Sequence, residues 1–175
     1  MKVIAGLGNP GDAYAMTRHN AGIFFVEKLA EKYTSDYGWR AEKEAGVFKT
    51  EDFMLARTKD KFMNQSGEWI KWLVNYYANS TDTDELFIAH DDLDIRLGEY
   101  KIQFGTGPKD HGGINSVEAI LGTKDFWRIR IGVDNRPVNL REPGEEYVLK
   151  RFSNAEFESL KTVINEAISE IMKRL

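Results

Sequence analysis

The sequence predicts a single α/β domain in which strands alternate with helices around a mostly buried sheet. Short apolar runs of strand length occur at residues 3–5 and 86–89, and each is followed by glycines or polar side chains. Between and after them, apolar residues recur every three or four positions, as on the core-facing side of a helix. No linker, repeat or low-complexity segment interrupts the 175 residues, so we expect one domain spanning residues 1–175.

Local patterns give the elements of the first half. The strand at residues 3–5 leads through a glycine-rich turn to a helix at about residues 21–32, whose core face would be Val26, Leu29, Ala30 and Tyr33. Residues 47–50 and 53–56 read as a β-hairpin closed by a two-residue turn. The helix after Gly67 carries its apolar residues at Trp69, Ile70, Leu73, Tyr76 and Tyr77.

The second half continues the alternation. The apolar strand at residues 86–89 precedes a strand at residues 100–104 and a glycine-rich loop at residues 105–116 that opens a short helix. Residues 126–133 alternate apolar side chains with Arg128 and Arg130, which predicts a strand with one basic face. Ser153 and Glu156 form a capping box for the last helix. Its apolar stripe is Phe157, Leu160, Ile164, Ala167, Ile168, Ile171 and Leu175.

Composition excludes several classes of protein. Hydrophobic residues make up 42% and charged residues 30%, as in an ordinary globular protein. Without cysteine there are no disulfides, thiolate metal sites or cysteine nucleophiles. A net charge of −4 disfavours non-specific coating of nucleic acid. The chain starts without a leader pattern and has no apolar run of the roughly 20 residues that a membrane span needs, so we expect a cytoplasmic protein.

Gly6, Gly8 and Gly11 match the G-x-G-x-x-G spacing of dinucleotide-binding turns. In such folds the third glycine already lies in the helix that faces the phosphate. Here Pro10 precedes it, and no helical apolar stripe follows until Ile23. The context therefore disfavours dinucleotide binding.

After the glycines comes a helix entrance with Arg18, His19 and Asn20 at the carboxyl end of a strand, where ligands bind in open α/β sheets. A histidine there titrates near neutrality and can accept a proton from water. The alternative is that His19 and Asn20 only cap the helix, and Asn64 has the same alternative at the start of its own helix.

The strand at residues 86–89 runs into His90, Asp91, Asp92 and Asp94. Carboxylates at a strand's carboxyl end bind Mg²⁺ or orient a catalytic histidine, and sequence distance does not decide between the two. Alternatively, Asp92 and Asp94 form side-chain-to-backbone turn bonds, and His90 is a structural histidine.

Three separated blocks stand in order: GLGNPG at residues 6–11 with Tyr14 and TRHNAG at residues 17–22, FMNQSG at residues 62–67, and HDDLD at residues 90–94. Together they closely resemble the bacterial-type peptidyl-tRNA hydrolase family. The resemblance continues through Gly112, Gly113 and Asn115 and through RIRIG at residues 128–132, so it covers nearly the whole chain.

The resemblance implies a twisted, mixed β-sheet flanked by helices and a monomeric esterase that needs neither metal nor cofactor. Its partner would be peptidyl-tRNA, whose peptide ester it would cut after premature release from the ribosome. By matching position, His19 would be the general base, Asp91 its partner and Asn9 a catalytic residue linked to preference for blocked peptidyl ends. Matched residues would also contact the substrate: Asn9, Asn64 and Asn115 would hold it, Tyr14 and Phe62 would line its peptide end, and Arg130 would contact a tRNA phosphate.

The residue types suit that chemistry. An ester has a fair leaving group, so a neutral imidazole that activates water and amides that polarise the carbonyl suffice without a covalent nucleophile. A carboxylate on the other imidazole nitrogen fixes the tautomer. Asparagine binds an acylated backbone without adding charge.

The chain departs from the family pattern in the glycine-rich loop. Where the family reads G-G-H-N-G, Ile114 replaces the histidine and Ser116 the glycine, after an insertion around Pro108. Gln103 stands where a basic residue is usual, and the chain ends at Leu175, earlier than is common, so we expect a smaller tRNA-facing surface.

Two alternatives stay open, the first because of the altered loop and the acidic net charge, and the second because of the carboxylates that follow the strand at residues 86–89. The first is a weakly active or inactive RNA- or protein-binding module on the same fold. The second is a metal-dependent phosphohydrolase that uses Asp91, Asp92 and Asp94.

Overall fold

The structure, a computed structural model, describes residues 1–33, 38–78, 83–139 and 142–175. Its strands are β1 (Lys2–Gly6), β2 (Arg40–Ala41), β3 (Ala45–Lys49), β4 (Phe53–Thr58), β5 (Leu86–Arg96), β6 (Tyr100–Phe104) and β7 (Trp127–Asp134). Its helices are α1 (Ala21–Ala30), α2 (Ser66–Leu73), α3 (Gly112–Leu121), α4 (Gly144–Val148) and α5 (Asn154–Ile171). Short 3₁₀ turns at Arg18–Asn20 and Met63–Gln65 lead into α1 and α2.

All seven strands form one mixed sheet in the order β2-β3-β4-β1-β5-β7-β6. The four central strands β4, β1, β5 and β7 are parallel, and antiparallel pairs complete both edges. Parallel central strands end at the same edge, so the segments after β1 and β5 come together there. This confirms the predicted α/β class with helices flanking a mixed sheet.

The core lies on both faces of the sheet, because the central strands are buried on both sides. On one face, α1 and α5 pack on Ile4, Phe87 and Ile129. On the other, α2 and α3 pack on Val3 and Ile88. Within the described residues, no helix combines the length and apolarity that crossing a bilayer needs.

Most predicted elements are present near their predicted bounds. The strand at residues 100–104 and the capping box of α5 are as predicted, with Ser153 Oγ accepting from the Glu156 backbone N–H. The hairpin is present as β3 and β4, each slightly longer than predicted. The two-residue strand β2 lies in a polar segment without an apolar pattern, which is why the sequence did not predict it.

The strand predicted at residues 86–89 is too short. β5 continues to Arg96, so His90, Asp91 and Asp92 lie within it and pair with β7. These polar residues are at most 1% exposed, and they are stable there because each has hydrogen-bond partners. Polarity at residue 90 was therefore a poor marker of the strand's end.

The structure decides how exposed two of the predicted patterns are. Arg128 and Arg130 share one face of β7, as predicted, but both are buried, and they pair with Glu118 and Asp92. In the apolar stripe predicted after Gly67, Tyr76 is 64% exposed, whereas Tyr77 packs against the core.

The glycines after β1 serve packing between β1 and α1. A β-carbon at Gly6 would lie 2.3 Å from the carbonyl oxygen of Gly22 in α1. Any side chain at residue 6 would therefore push the helix away from the strand. This contact explains the first glycine of the G-x-G-x-x-G match without a pyrophosphate.

Candidate active site

A cavity of about 690 Å³ opens at the edge of the sheet where β1 and β5 end. The turn after β1, the start of α2, the end of β5, the glycine-rich loop and α4 surround it. Its lining includes Asn9, Tyr14, His19, Phe62, Asn64, Asp91, Lys109, His111 and Leu149. Six of the eight residues assigned to the site from the sequence thus line one cavity, although three separated segments contribute them.

His19 and Asp91 are in direct contact. The Nδ1 atom of His19, in the 3₁₀ turn before α1, lies 2.9 Å from both carboxylate oxygens of Asp91 on β5. The side chain of His19 is 15% exposed and that of Asp91 only 1%. Among the described residues, Nε2 of His19 has no protein partner, so a substrate or water in the cavity can use it.

The pair shifts the pKa of both members. Burial alone lowers the pKa of His19, but the charge and hydrogen bond of Asp91 outweigh burial and raise it above the ordinary 6.5. Burial alone raises the pKa of Asp91, but the imidazoles of His19 and His111 outweigh it and hold that pKa well below its usual range. Asp91 is therefore ionised and acts as an acceptor, so the ring nitrogens that face it donate.

His111 is the site residue that the sequence analysis missed. It lies in the glycine-rich loop, immediately before α3, and its Nε2 is 2.8 Å from Oδ1 of Asp91. Its Nδ1 accepts from the backbone N–H groups of Gly113 and Ile114, at 3.1 and 3.2 Å. A histidine directly before a predicted helix start was the available signal, since an acceptor there caps the helix.

His19, Asp91 and His111 offer three atoms within 4.8 Å of one another, a group of a size that could hold a metal ion. The donor set does not suit one. Because Nδ1 of His111 accepts two backbone hydrogen bonds, the proton of the neutral ring is on Nε2, and a protonated nitrogen is not a metal ligand. Asp92 pairs with Arg130, so it does not join Asp91 in a carboxylate site.

His90 and Asp92 have structural contacts, as one of the alternatives proposed. Nδ1 of His90 bonds the backbone oxygen of Asp91 at 2.7 Å, and burial lowers the pKa of His90 to about 3, so this imidazole stays neutral. Oδ1 of Asp92 accepts from the backbone N–H of Asp94 at 2.8 Å, which is the predicted turn bond.

Asn9 is fixed by two other residues. The side-chain amide of Asn20 bonds both the backbone N–H and the backbone oxygen of Asn9, at 2.8 and 3.0 Å. The Oδ1 atom of Asn9 accepts from the backbone N–H of Met63 at 2.8 Å. The remaining group, the Asn9 NH₂, is a hydrogen-bond donor at the cavity wall. Asn20 thus positions Asn9, and its side chain makes no capping bond to α1.

Aromatic side chains form one wall of the cavity. Tyr14 and Phe62 meet edge to face with ring centroids 5.8 Å apart, and Phe62 is 45% exposed. Asn64 lies near Phe62 on the exposed side of the 3₁₀ turn and lines the cavity. The residue at the N-cap of α2 is Gln65, so the capping alternative for Asn64 is wrong.

Asn115 and Arg130 do not line this cavity. Asn115 is exposed in the first turn of α3 and donates to Asp110 at 2.8 Å. The side chain of Arg130 is 9% exposed. Its Nε bonds Asp92 at 2.7 Å, and NH1 bonds Gln103 at 2.6 Å. Gln103, the departure from the usual basic residue, is thus a partner of Arg130.

Arg18 anchors the turn that carries His19. The NH2 nitrogen of its guanidinium lies 2.7 Å from each of the two carboxylate oxygens of Glu156 in α5. It also donates to the backbone oxygens of Lys150 and Arg151, at 3.0 and 2.9 Å. The turn that carries His19 and the last helix are therefore joined through Arg18.

An α/β sheet that holds a cavity-facing imidazole against a buried carboxylate at its carboxyl edge is an arrangement typical of hydrolases. The model of the family described as peptidyl-tRNA hydrolase matches residues 3–175. The chain belongs to the peptidyl-tRNA hydrolase family.

Relatives and solved structures agree with this assignment. A peptidyl-tRNA hydrolase of Mycobacterium marinum is 36% identical over 169 residues, covering 94% of this chain and 86% of the relative. One of Mycoplasmopsis synoviae is 37% identical, covering 95% and 86%. The crystal structure of peptidyl-tRNA hydrolase from Acinetobacter baumannii matches with a TM-score of 0.80 at 30% identity, covering 98% of this chain and 87% of that chain.

Proposed function

We propose that this chain hydrolyses the ester bond between the peptide and the tRNA of peptidyl-tRNAs released prematurely from ribosomes, which recycles the tRNA. The observation that carries the proposal is the His19–Asp91 contact of 2.9 Å, which leaves Nε2 of His19 available in the cavity. Family membership gives the ester and the substrate class. Because the substrate arises at ribosomes, we place the protein in the cytoplasm, and we propose that it acts as a monomer.

The reaction needs one base and one polarising donor. The neutral Nε2 of His19 takes a proton from water, and the water oxygen attacks the ester carbonyl carbon. The charge on the carbonyl oxygen is stabilised by the NH₂ group of Asn9, which Asn20 and Met63 hold in place. The intermediate collapses by breaking the bond to the tRNA 3′ oxygen, which receives the proton from the His19 imidazolium. The products are a peptide acid and a free tRNA hydroxyl.

Substrate groups are divided between the walls of the cavity. We propose that Tyr14 and Phe62 contact the peptide side chain next to the ester, since both rings present apolar surface there. Asn64 binds the peptide backbone with its side-chain amide. That Asn115 and Arg130 contact the substrate stays a prediction. The bond of Asn115 to Asp110 suits a role in shaping the loop, and the ion pair of Arg130 suits one in holding Asp92.

The test is the release of N-acetyl-amino acid from N-acetyl-aminoacyl-tRNA, with and without EDTA. We expect EDTA-insensitive release by the wild type and a loss of about 10²–10⁴-fold in kcat/KM for His19→Ala. Lys28→Ala, an exposed change on α1 outside the cavity, is the matched control. Loss of release on adding EDTA would support the metal-dependent alternative. No release by a well-folded wild type would support the binding-module alternative.

A further inference from the structure

All three histidines of the chain lie in one cluster. The rings of His19 and His111 have centroids 5.2 Å apart, and those of His90 and His111 are 5.0 Å apart. His111 was not among the residues matched to the family pattern. At the position where that pattern has its histidine, this chain has Ile114, which is 1% exposed and packs in the core.

The two ring nitrogens of His111 have different partners. Nδ1 accepts from the N–H groups of Gly113 and Ile114 and so caps α3, and Nε2 faces Oδ1 of Asp91. A ring that accepts at one nitrogen and faces a carboxylate with the other is the neutral tautomer that carries its proton on Nε2. Protonation at Nδ1 would break both capping bonds, so the helix start stabilises this tautomer.

We propose that His111 is a positioning residue, which holds the Asp91 carboxylate with a second N–H donor so that Asp91 orients His19 for general-base catalysis. This inference rests on the proposed hydrolase function. Ile114, which stands where the family pattern has its histidine, has no group that could donate a hydrogen bond to Asp91. The inference assigns this donation to His111.

Loss of the His111 donor should raise the pKa of His19. With His111 present, the negative charge of Asp91 is shared between two N–H donors. Without the second donor, the buried carboxylate holds the proton of His19 more strongly, so the pKa of His19 rises and less neutral base is present at a given pH. The carboxylate is also freer to rotate, which loosens the orientation of the imidazole.

The charges of the other titratable groups around the cluster should change little when the His111 donor is removed. His90, packed against His111 from β5, stays neutral, with burial lowering its pKa to about 3. Asp92, next in β5, is paired with Arg130 from β7. Lys109 and Asp110 of the loop are exposed to solvent.

Two substitutions separate the two contacts of His111. Asparagine places an oxygen near the position of Nδ1, so His111→Asn keeps the helix cap and loses the donor to Asp91. Glutamine reaches further and places its NH₂ near the position of Nε2, so His111→Gln keeps the donor and loses the cap. Thr50→Ala, which removes the two hydrogen bonds of Thr50 Oγ1 to the Phe53 backbone in the turn between β3 and β4, lies outside the cavity and is the control for a loss of stability alone.

The measurements are kcat/KM against pH on N-acetyl-aminoacyl-tRNA, the melting temperature, and the pKa of His19 by NMR titration. We expect His111→Asn to melt near the wild type, to lose about 10–100-fold in kcat/KM, as when an outer hydrogen-bond partner is removed, and to shift the acid limb to higher pH. His111→Gln should melt lower but keep more activity than His111→Asn. Thr50→Ala should melt lower without moving the acid limb.

Wild-type kcat/KM and an unmoved acid limb in His111→Asn would show that His111 is only a helix cap and would overturn the inference. The NMR titration gives an answer without turnover. A higher pKa for His19 in His111→Asn than in the wild type supports positioning even if the chain hydrolyses nothing, and an unchanged pKa overturns it. Failure of the proposed hydrolase function is therefore visible separately, as absence of release by the wild type.

Discussion

Gly22 lies directly against the backbone carbonyl of Ala89, and a β-carbon at residue 22 would be 2.2 Å from that oxygen. Gly22 is the second residue of α1, and Ala89 lies two positions before Asp91 on β5. The close approach of helix and strand therefore sets the separation between His19, just before the helix, and Asp91. A packing contact in the core thus fixes the geometry of the His19–Asp91 pair.

Gly22→Ala should lower both stability and activity. The added methyl group has no space against backbone atoms, so we expect a loss of about 1–3 kcal/mol in the free energy of unfolding, or more if the helix does not shift. Urea denaturation measures this loss, and kcat/KM should fall because His19 moves with the helix. Gly46→Ala is the control, since the nearest atom to its β-carbon would be at 3.5 Å. Equal effects of the two substitutions would contradict this account.

The pH dependence of kcat/KM should report the His19–Asp91 pair. Burial lowers the pKa of His19, but Asp91 more than offsets burial and raises it above 6.5. Because the base acts when it is unprotonated, kcat/KM should fall as the pH decreases through a midpoint above 6.5. Asp91→Asn removes the charge, so its acid limb should move to lower pH while the plateau falls by about 10²–10⁴-fold. An acid limb that stays in place in this variant would argue against the pair.

The donor assigned to Asn9 is tested by Asn9→Asp. The carboxylate still accepts from the Met63 N–H, so the turn should keep its structure and the melting temperature should change little. The NH₂ donor is lost and a negative charge faces the developing oxyanion, so kcat should fall by about 10²–10³-fold with a smaller effect on KM. Asn9→Ala, which loses both contacts, should also lower the melting temperature. Retained kcat in Asn9→Asp would remove Asn9 from the reaction.

The salt dependence of tRNA binding should distinguish Lys109 from Arg130. Lys109 is exposed at the cavity, whereas the guanidinium of Arg130 is buried against Asp92. We expect Lys109→Ala to reduce the slope of log K against log salt by about 1, the value for one phosphate contact. Arg130→Ala should instead cost about 3–5 kcal/mol of stability, because it leaves Asp92 buried and unpaired. A smaller salt slope for Arg130→Ala at unchanged stability would restore Arg130 as the phosphate contact.

Arg18 should matter for stability far more than an exposed arginine. The side chains of Arg18 and Glu156 are 7% and 14% exposed, and Arg18→Ala removes the cation paired with Glu156, which keeps its hydrogen bonds from the Ser153 N–H and the Asn135 side chain. We expect a loss of about 3–5 kcal/mol in the free energy of unfolding. Arg174→Ala removes a pair that is 39% exposed on both sides, and it should cost no more than about 0.5 kcal/mol. Similar losses for the two variants in urea denaturation would contradict this role of the Arg18–Glu156 pair.

The sequence by itself determined the fold class and the order of most elements, because both depend on local patterns. Apolar periodicity located α1 and α5, and a capping box marks the start of α5 whatever its surroundings. It also identified the family, since the GLGNPG, FMNQSG and HDDLD blocks are specific as a set. The pairing of His19 with Asp91 came from that resemblance, and spacing alone did not supply it.

Only the tertiary structure decided which polar residues meet, because partners far apart in sequence leave no local pattern. Arg130 alternates along its strand like a surface residue, and its burial depends on Asp92 from β5 and Gln103 from β6. His111 stands in a glycine-rich loop, and its role depends on Asp91, twenty residues earlier. The sequence places these side chains on their elements, whereas the order of strands in the sheet determines what they contact.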